Sequence, residues 1–164
     1  MSNKKLMTRT GYDKLTEEYT TLLEEVRPKV VQGVADAAAE GDRSENAEYI
    51  YGKKRLREID KKLRYLTGLM KDVEIIDPEN IRSDRVEFGA TVSLLVDDSE
   101  EKKWKIVGVG EADVNEGTIS WHSPIAKAIL GKKVGDFVVI HRPAGEVEVE
   151  VLAIEFKKQN PRET

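Results

Sequence analysis

The sequence contains no cysteine, only two histidines (His122 and His141), and no long apolar run. The absence of cysteine excludes disulfides, thiolate zinc sites and a cysteine nucleophile, and two histidines are too few for a histidine metal cluster. No segment approaches the roughly 18 apolar residues that a membrane-spanning helix needs. Lys4 and Lys5 are not followed by an apolar region, so we expect no signal peptide, no membrane partner and a cytoplasmic location.

Charge is unevenly distributed along the chain, although the formal net charge of all 164 residues is only -4. Residues 1–42 contain 6 basic and 8 acidic residues, and residues 72–164 contain 12 basic against 19 acidic ones. Between them, residues 43–71 contain 9 basic against 4 acidic residues, a net charge of +5. The net charge of the whole chain therefore conceals a basic segment between two acidic ones, and this separation of charge needs an explanation.

The first half predicts two long helices joined by a short turn. Apolar residues recur every three or four positions, first at Leu15, Tyr19, Leu22, Val26, Val30 and Val34, and then at Leu56, Ile59, Leu63, Leu66, Met70 and Val73. The second series has the heptad spacing of a coiled coil. Gly41 can end the first helix, so the short join predicts antiparallel arms of about 40 Å. We expect Pro28 to kink the first arm locally.

The second half changes to strand patterns. We predict one short helix, Pro124 to Leu130, with Ser123 as its N-cap and Gly131 closing it. The predicted strands are 91–96, 104–107, 137–140 and 147–151. The fold class is therefore α+β: an N-terminal antiparallel α-helical coiled-coil hairpin (residues 1–76), a linker (77–87) and a small α+β domain (88–164).

Asp42 and Glu45 lie three residues apart in the predicted turn of the hairpin. Two carboxylates on a projecting tip can share a Mg²⁺ ion, whose remaining ligands would be water and phosphate oxygens. The same spacing is that of a capping box, with Asp42 as N-cap and Glu45 reaching back. The spacing alone favours the cap and leaves the metal site open.

A row of cations follows the tip on the second helix. It can be a solvated helix face, with Glu58 and Asp60 as partial partners, or a stripe that attracts phosphates. Without interleaved aromatic residues we expect contact with a nucleic-acid backbone and no contact with bases, and we expect Tyr65 to pack. The row comprises Lys53, Arg57, Lys61 and Arg64, and Lys54, Arg55 and Lys62 widen it.

Two separate motifs carry a resemblance to a known family. The segments Gly41–Tyr49 and Lys53–Asp60 resemble the hairpin-tip signature of the Gre family of bacterial transcript cleavage factors. Arg43-Ser44 and the Lys53–Asp60 segment are similar to its GreB branch. Residues 123–131 and 134–136 resemble the second signature of the family. The match extends over nearly the whole chain.

The resemblance implies an accessory factor that is not itself an enzyme. A factor of this family binds RNA polymerase, enters its secondary channel and stimulates endonucleolytic cleavage of the 3′ end of backtracked nascent RNA. Asp42 and Glu45 would help to hold a second catalytic Mg²⁺ that the free protein binds only weakly. The cations Lys53, Lys54, Arg57, Lys61 and Arg64 would contact the extruded RNA.

The resemblance also implies that the C-terminal domain has an FKBP-like fold with a mainly antiparallel sheet. It would dock on the polymerase rim through His122, Ser123, Pro124 and Lys127, where His122 replaces the usual Asp or Asn. We expect a monomer. The alternatives are a regulator that occupies the channel without promoting cleavage, and an FKBP-like chaperone or interaction module.

Overall fold

The structure is a computed structural model that describes residues 5–41 and 46–158. The chain divides into two compact units: a helical unit of residues 13–71, and a globular unit that contains residues 5–12 and 72–158 of the described chain. The domain boundaries predicted at residues 76 and 88 stay a prediction. Asp42 and Glu45 lie outside the described residues.

An antiparallel helical hairpin forms the helical unit. Its first arm contains helix α1 (Arg9–Thr21), a π-helical turn (Leu22–Val26) and helix α2 (Arg27–Ala39), and its second arm is helix α3 (Ala47–Met70). Leu15 is buried in the first arm, and Ile59, Leu63 and Leu66 are buried in the second. The other predicted seam positions of the first arm are half-buried, namely Tyr19, Leu22, Val26, Val30 and Val34. The predicted hairpin and its apolar seam are confirmed.

The first arm departs from α-helical geometry just before Pro28. The backbone N–H of Arg27 donates to the carbonyl oxygen of Leu22, five residues back, which closes the π-helical turn. Proline has no N–H and its ring conflicts with the preceding turn, so such a helix adjusts its hydrogen bonds locally. The irregularity that we expected at Pro28 therefore takes the form of a π-helical turn over the five residues that end at Val26.

The predicted seam is wrong at its last position. Val73 belongs to a strand, because α3 ends at Met70 and Asp72 adopts a φ of 56°. Aspartate tolerates this left-handed conformation better than most residues, and it turns the backbone out of the helix. Heptad spacing does not reveal the end of this helix, because Val73, which follows Asp72, is also apolar.

The globular unit contains two sheets and a short helix α4 (Pro124–Ile129). A parallel pair joins β1 (Lys5–Thr8) to β2 (Val73–Ile76). The main sheet has the order β5-β4-β3-β7-β6 and is antiparallel except between β4 and β5. Its strands are β3 (Thr91–Val96), β4 (Glu100–Val107), β5 (Thr118–Ser120), β6 (Phe137–Arg142) and β7 (Gly145–Glu155).

The four predicted strands are confirmed as β3, β4, β6 and β7, although three of them extend further than the pattern indicated. The pattern missed β1, β2 and β5, which have only three or four residues each. The predicted α+β class with a mainly antiparallel sheet is confirmed.

One face of the main sheet forms the core of the globular unit, and helix α4 packs on it. Ile129 and Ala126 of this helix are fully buried, while Ile125 and Leu130 are half-buried against the same cluster. Strand residues such as Val92 and Ile106 complete the core. Among the described residues, no helix is long and apolar enough to cross a membrane.

Candidate functional site

Asn46 lies at the end of the hairpin, where its side chain contacts both α2 and α3. Its Oδ1 accepts a hydrogen bond from the backbone N–H of Tyr49 at 3.1 Å, which makes Asn46 the N-cap of α3. Its Nδ2 donates to the carbonyl oxygen of Ala37 in α2 at 2.7 Å. One partly buried side chain therefore joins the end of one helix to the start of the next. Gly41 is the last described residue of the first arm and has a φ of 143°. Residues 42–45 separate it from Asn46 in the sequence.

The capping-box interpretation of Asp42 and Glu45 is wrong for α3, because its N-cap is Asn46. Asparagine is among the strongest N-cap residues, and a helix that begins at Ala47 could have been read from it. The Asp-x-x-Glu spacing gave a competing signal four residues earlier. The metal-binding role predicted for the two acids falls on residues outside the described ones and stays a prediction.

Gly52 allows the two arms to approach closely next to this end. It is buried, and a Cβ atom built on it would lie 2.6 Å from Cγ2 of Val34. A glycine inside a helix costs about 1 kcal/mol relative to alanine, so its position at the contact between α2 and α3 indicates a packing requirement. The spacing of apolar residues gives no sign of Gly52, which interrupts an otherwise helix-favouring segment.

The structure brings the predicted basic row together on the exposed surface of α3. Lys53, Lys54, Arg57, Lys61 and Arg64 are all exposed, and within the described ranges none of them forms an ion pair. Their cationic groups therefore lie in solvent on one continuous stretch of helix, where helical neighbours are spaced three or four residues apart.

The charges at the edges of the row are paired across the hairpin. Asp60 accepts from Nε of Arg27 at 2.9 Å, and this hydrogen bond is the main cause that lowers the pKa of Asp60. The Nζ atom of Lys62 lies 3.4 Å from Oε1 of Glu18. Arg64 of the row also lowers the pKa of Asp60 through its charge, so Asp60 is a partial partner of the row, as one interpretation expected, while its hydrogen bonds go to the other arm. The unpaired cations in the middle keep their net positive field.

Tyr51 and Tyr65 are also on the surface of α3, with 70% and 56% of their area exposed. The ammonium of Lys62 lies 5.4 Å from the centroid of the Tyr65 ring. The expectation that Tyr65 packs is wrong, because more than half of its area is exposed. Residue 65 is apolar enough to suggest burial, but the seam passes through Leu66, its neighbour.

The predicted docking residues of the globular unit lie together around the start of α4. Ser123 caps this helix by accepting from the N–H of Ala126 at 3.3 Å, as predicted. His122, Pro124 and Lys127 are exposed. The ring of His122 lies 4.4 Å from that of Trp121, centroid to centroid. The four residues form one surface, and its role in docking stays a prediction.

A cluster of buried polar groups that the sequence analysis missed lies elsewhere in the globular unit. The carboxylate of Glu111 accepts from the N–H groups of Thr8 at 2.7 Å and Gly108 at 3.0 Å, and from the Thr8 hydroxyl. Burial raises the pKa of Glu111. It also lowers the pKa of Lys105, whose Nζ donates to the carbonyl oxygen of Lys157 at 2.9 Å. Because its carboxylate is satisfied by these donors, we assign Glu111 a structural role.

Comparisons with known proteins agree with the two motifs found in the sequence. The family model described as "Transcription elongation factor, N-terminal" matches residues 5–75, and the one described as "Transcription elongation factor, GreA/GreB, C-term" matches residues 81–156. The chain is 44% identical to the transcription elongation factor GreB of Neisseria meningitidis serogroup B, over 94% of this chain and 96% of that protein. It is 44% identical to GreB of Haemophilus influenzae, over 96% and 100%.

Similarity extends to factors of the other branch and to solved structures. The transcription elongation factor GreA of Nitratiruptor sp. is 41% identical, over 96% of both chains. The crystal structure of GreA factor homolog 1 (Gfh1) of Thermus thermophilus is 23% identical over 93% of this chain and 99% of that one, with a TM-score of 0.43. That structural likeness adds no argument of its own. On the family models and the curated relatives, the chain belongs to the GreA/GreB family of transcription elongation factors.

Proposed function

We propose that this protein binds RNA polymerase, inserts its helical hairpin into the secondary channel and stimulates endonucleolytic cleavage of the 3′ end of backtracked nascent RNA. Such cleavage would rescue arrested complexes in the cytoplasm. The observation that carries the proposal is the end of the hairpin, where Asn46 joins α2 to α3. In the sequence, the four residues between Gly41 and Asn46 include both predicted acids.

The chemistry of Asp42 and Glu45 fits a shared Mg²⁺ ion. Mg²⁺ is usually held by one or two carboxylates, with waters and phosphate oxygens as its other ligands. Because Asn46 already caps α3, the two acids are not needed for that cap. When bound, the ion would lower the pKa of a water and stabilise in-line displacement at phosphorus. Asp42 and Glu45 would orient that water, and the polymerase would supply the other metal site.

The basic row would hold the RNA 3′ segment beside the hairpin. The four cations of the row and the adjacent Lys54 are exposed, and they lie on the arm that follows the acids in sequence. Phosphate contacts position a nucleic acid without reading its sequence, and they weaken as the salt concentration rises. The surface formed by His122, Ser123, Pro124 and Lys127 would dock on the polymerase rim. The protein would then act as an accessory factor that activates hydrolysis in the polymerase.

Cleavage in a stalled complex tests this function directly. A bacterial RNA polymerase halted in a backtracked state is mixed with Mg²⁺ and with wild type, Asp42→Asn or Glu45→Gln, and the length of the RNA is followed on a gel. We expect wild type to shorten the RNA and both variants to lose most of this activity while binding the polymerase normally.

The alternative of a regulator that occupies the channel without promoting cleavage predicts a different result. In that case wild type and both variants bind equally well and none of them shortens the RNA. Equal cleavage by all three would contradict the role of the acids while leaving a cleavage factor. A further variant, Asp36→Asn, removes an exposed acid of α2 and serves as the matched control for charge.

A further inference from the structure

Two exposed tyrosines, Tyr51 and Tyr65, lie on the same face of α3. Tyr51 and Tyr65 are 14 residues apart, which is close to four helical turns or about 21 Å. Their rings therefore point to nearly the same side of the helix. Large aromatic side chains that remain this exposed often mark an interaction surface.

Cations lie one helical turn from each ring. Lys54 and Arg55 lie one turn after Tyr51, and Lys61 and Lys62 lie one turn before Tyr65. Residues three and four apart are neighbours on a helix surface. The contact of 5.4 Å between the Lys62 ammonium and the Tyr65 ring is one instance of this arrangement. Exposed rings and cations therefore share this part of α3, although the exposed acid Glu58 lies midway between the two rings.

We propose that Tyr51 and Tyr65 are stacking positions for the bases of single-stranded RNA whose phosphates lie along the basic row. This inference rests on the proposed function and adds base contact to it. Proteins that bind single strands without sequence preference combine a positive track for the backbone with aromatic rings for the bases. Both parts are present on α3. The contact is tolerant of sequence, because every base offers a flat face.

A binding assay with the free, full-length protein tests the proposal without the polymerase. Fluorescence anisotropy of a labelled single-stranded RNA is measured at about 50 mM salt, where phosphate contacts are strong. The variants are Tyr51→Leu and Tyr65→Leu, with Tyr51→Phe and Tyr65→Phe as controls that keep an aromatic ring. Stacking predicts that each Leu variant weakens binding by about 5- to 150-fold and that the Phe variants bind normally.

Two comparisons separate stacking from a loss of charge or fold. An abasic strand of the same length carries the phosphates without bases, so both Leu variants should bind it like wild type. Arg57→Gln should weaken binding to both the RNA and the abasic strand, and it should reduce the slope of log affinity against log salt by about 0.7. The Leu variants should keep the wild-type slope. Ile50→Ala removes another exposed apolar side chain, 53% exposed, and should change neither binding constant.

The proposal would be overturned if both Leu variants bound RNA with wild-type affinity. It would also be overturned if they lost as much affinity for the abasic strand as for RNA, or if the wild type did not bind RNA at low salt. Leu variants that bind RNA normally but lose affinity for polymerase would assign the tyrosines to a protein contact instead. The outcome is independent of the cleavage test. If Asp42→Asn retains cleavage while the Leu variants lose RNA binding, the stacking positions stand and the metal role of the acids fails.

Discussion

The replacement Asn46→Ala tests whether one side chain holds the end of the hairpin. It removes the N-cap hydrogen bond to Tyr49, worth about 1 kcal/mol. It also removes the donor to the Ala37 carbonyl, worth about 1 kcal/mol more. The Ala37 oxygen still accepts from the N–H of Glu40 at 3.2 Å, so it is not left unsatisfied. We therefore expect a local destabilisation of about 2 kcal/mol at this end.

Amide hydrogen exchange measured by NMR is suited to this local effect, because it reports opening residue by residue. A loss of about 2 kcal/mol should speed exchange of the Tyr49 amide by about 30-fold if opening remains local. Amides near Leu66, far along α3, should be unchanged. The variant Asn46→Asp keeps a capping acceptor and lacks the donor, so it should show about half of the effect.

Unchanged exchange at Tyr49 in Asn46→Ala would refute the reasoning, since the side chain would then contribute nothing to either helix end. Equal effects of Asn46→Ala and Asn46→Asp would assign the whole stabilisation to the bond with Ala37. In the cleavage assay, Asn46→Ala should lower the rate while leaving polymerase affinity intact, because it loosens the ends of α2 and α3 and leaves the basic row and the surface around Ser123 unchanged.

Three further predictions concern packing, pH and capping. Gly52→Ala should destabilise the hairpin by about 1–3 kcal/mol despite the better helix propensity of alanine, because the new Cβ meets Val34; chemical denaturation checks it, and a stabilised variant would contradict it. Since the pKa of Glu111 is raised in the folded state, its contribution to stability should be greatest in acid and fall as the pH rises above 4.5, and unfolding curves of Glu111→Gln should lack this decline. Ser123→Ala should lower the free energy of unfolding by about 1 kcal/mol through the loss of the α4 cap, an effect that Ser123→Asp should largely avoid.

Sequence periodicity predicted the parts of the fold in which one face is buried over several residues. The alternation in 147–151 and the steps of three and four in the helices follow directly from burial of one face, so β7 and the hairpin could be identified. Strands β1 and β2 could not, because each has four residues and their parallel pairing brings Lys5 beside Val73. No local pattern encodes a partner that distant in sequence.

Some features of the candidate site could be predicted from the sequence and others could not. The position of Lys53, Arg57 and Lys61 on one side of α3 depends only on helical period, and it was predictable. The pairing of Asp60 with Arg27 depends on the register between the two arms, which the sequence alone does not give. The exposure of Tyr65 could have been predicted, because the apolar spacing already placed its neighbour Leu66 in the seam.

The register of the hairpin connects these observations. Contacts between Asn46 and Ala37, Gly52 and Val34, and Asp60 and Arg27 follow one another away from the helix ends in antiparallel order. A register shift of one residue would separate all three pairs at once, and it would also rotate the seam toward solvent. The same register that buries Ile59 and Leu63 therefore directs the cations and both exposed tyrosines outward. Burial of the seam and presentation of the basic face are two results of one packing arrangement, so a variant that disturbs the seam should weaken RNA binding even when every cation is retained.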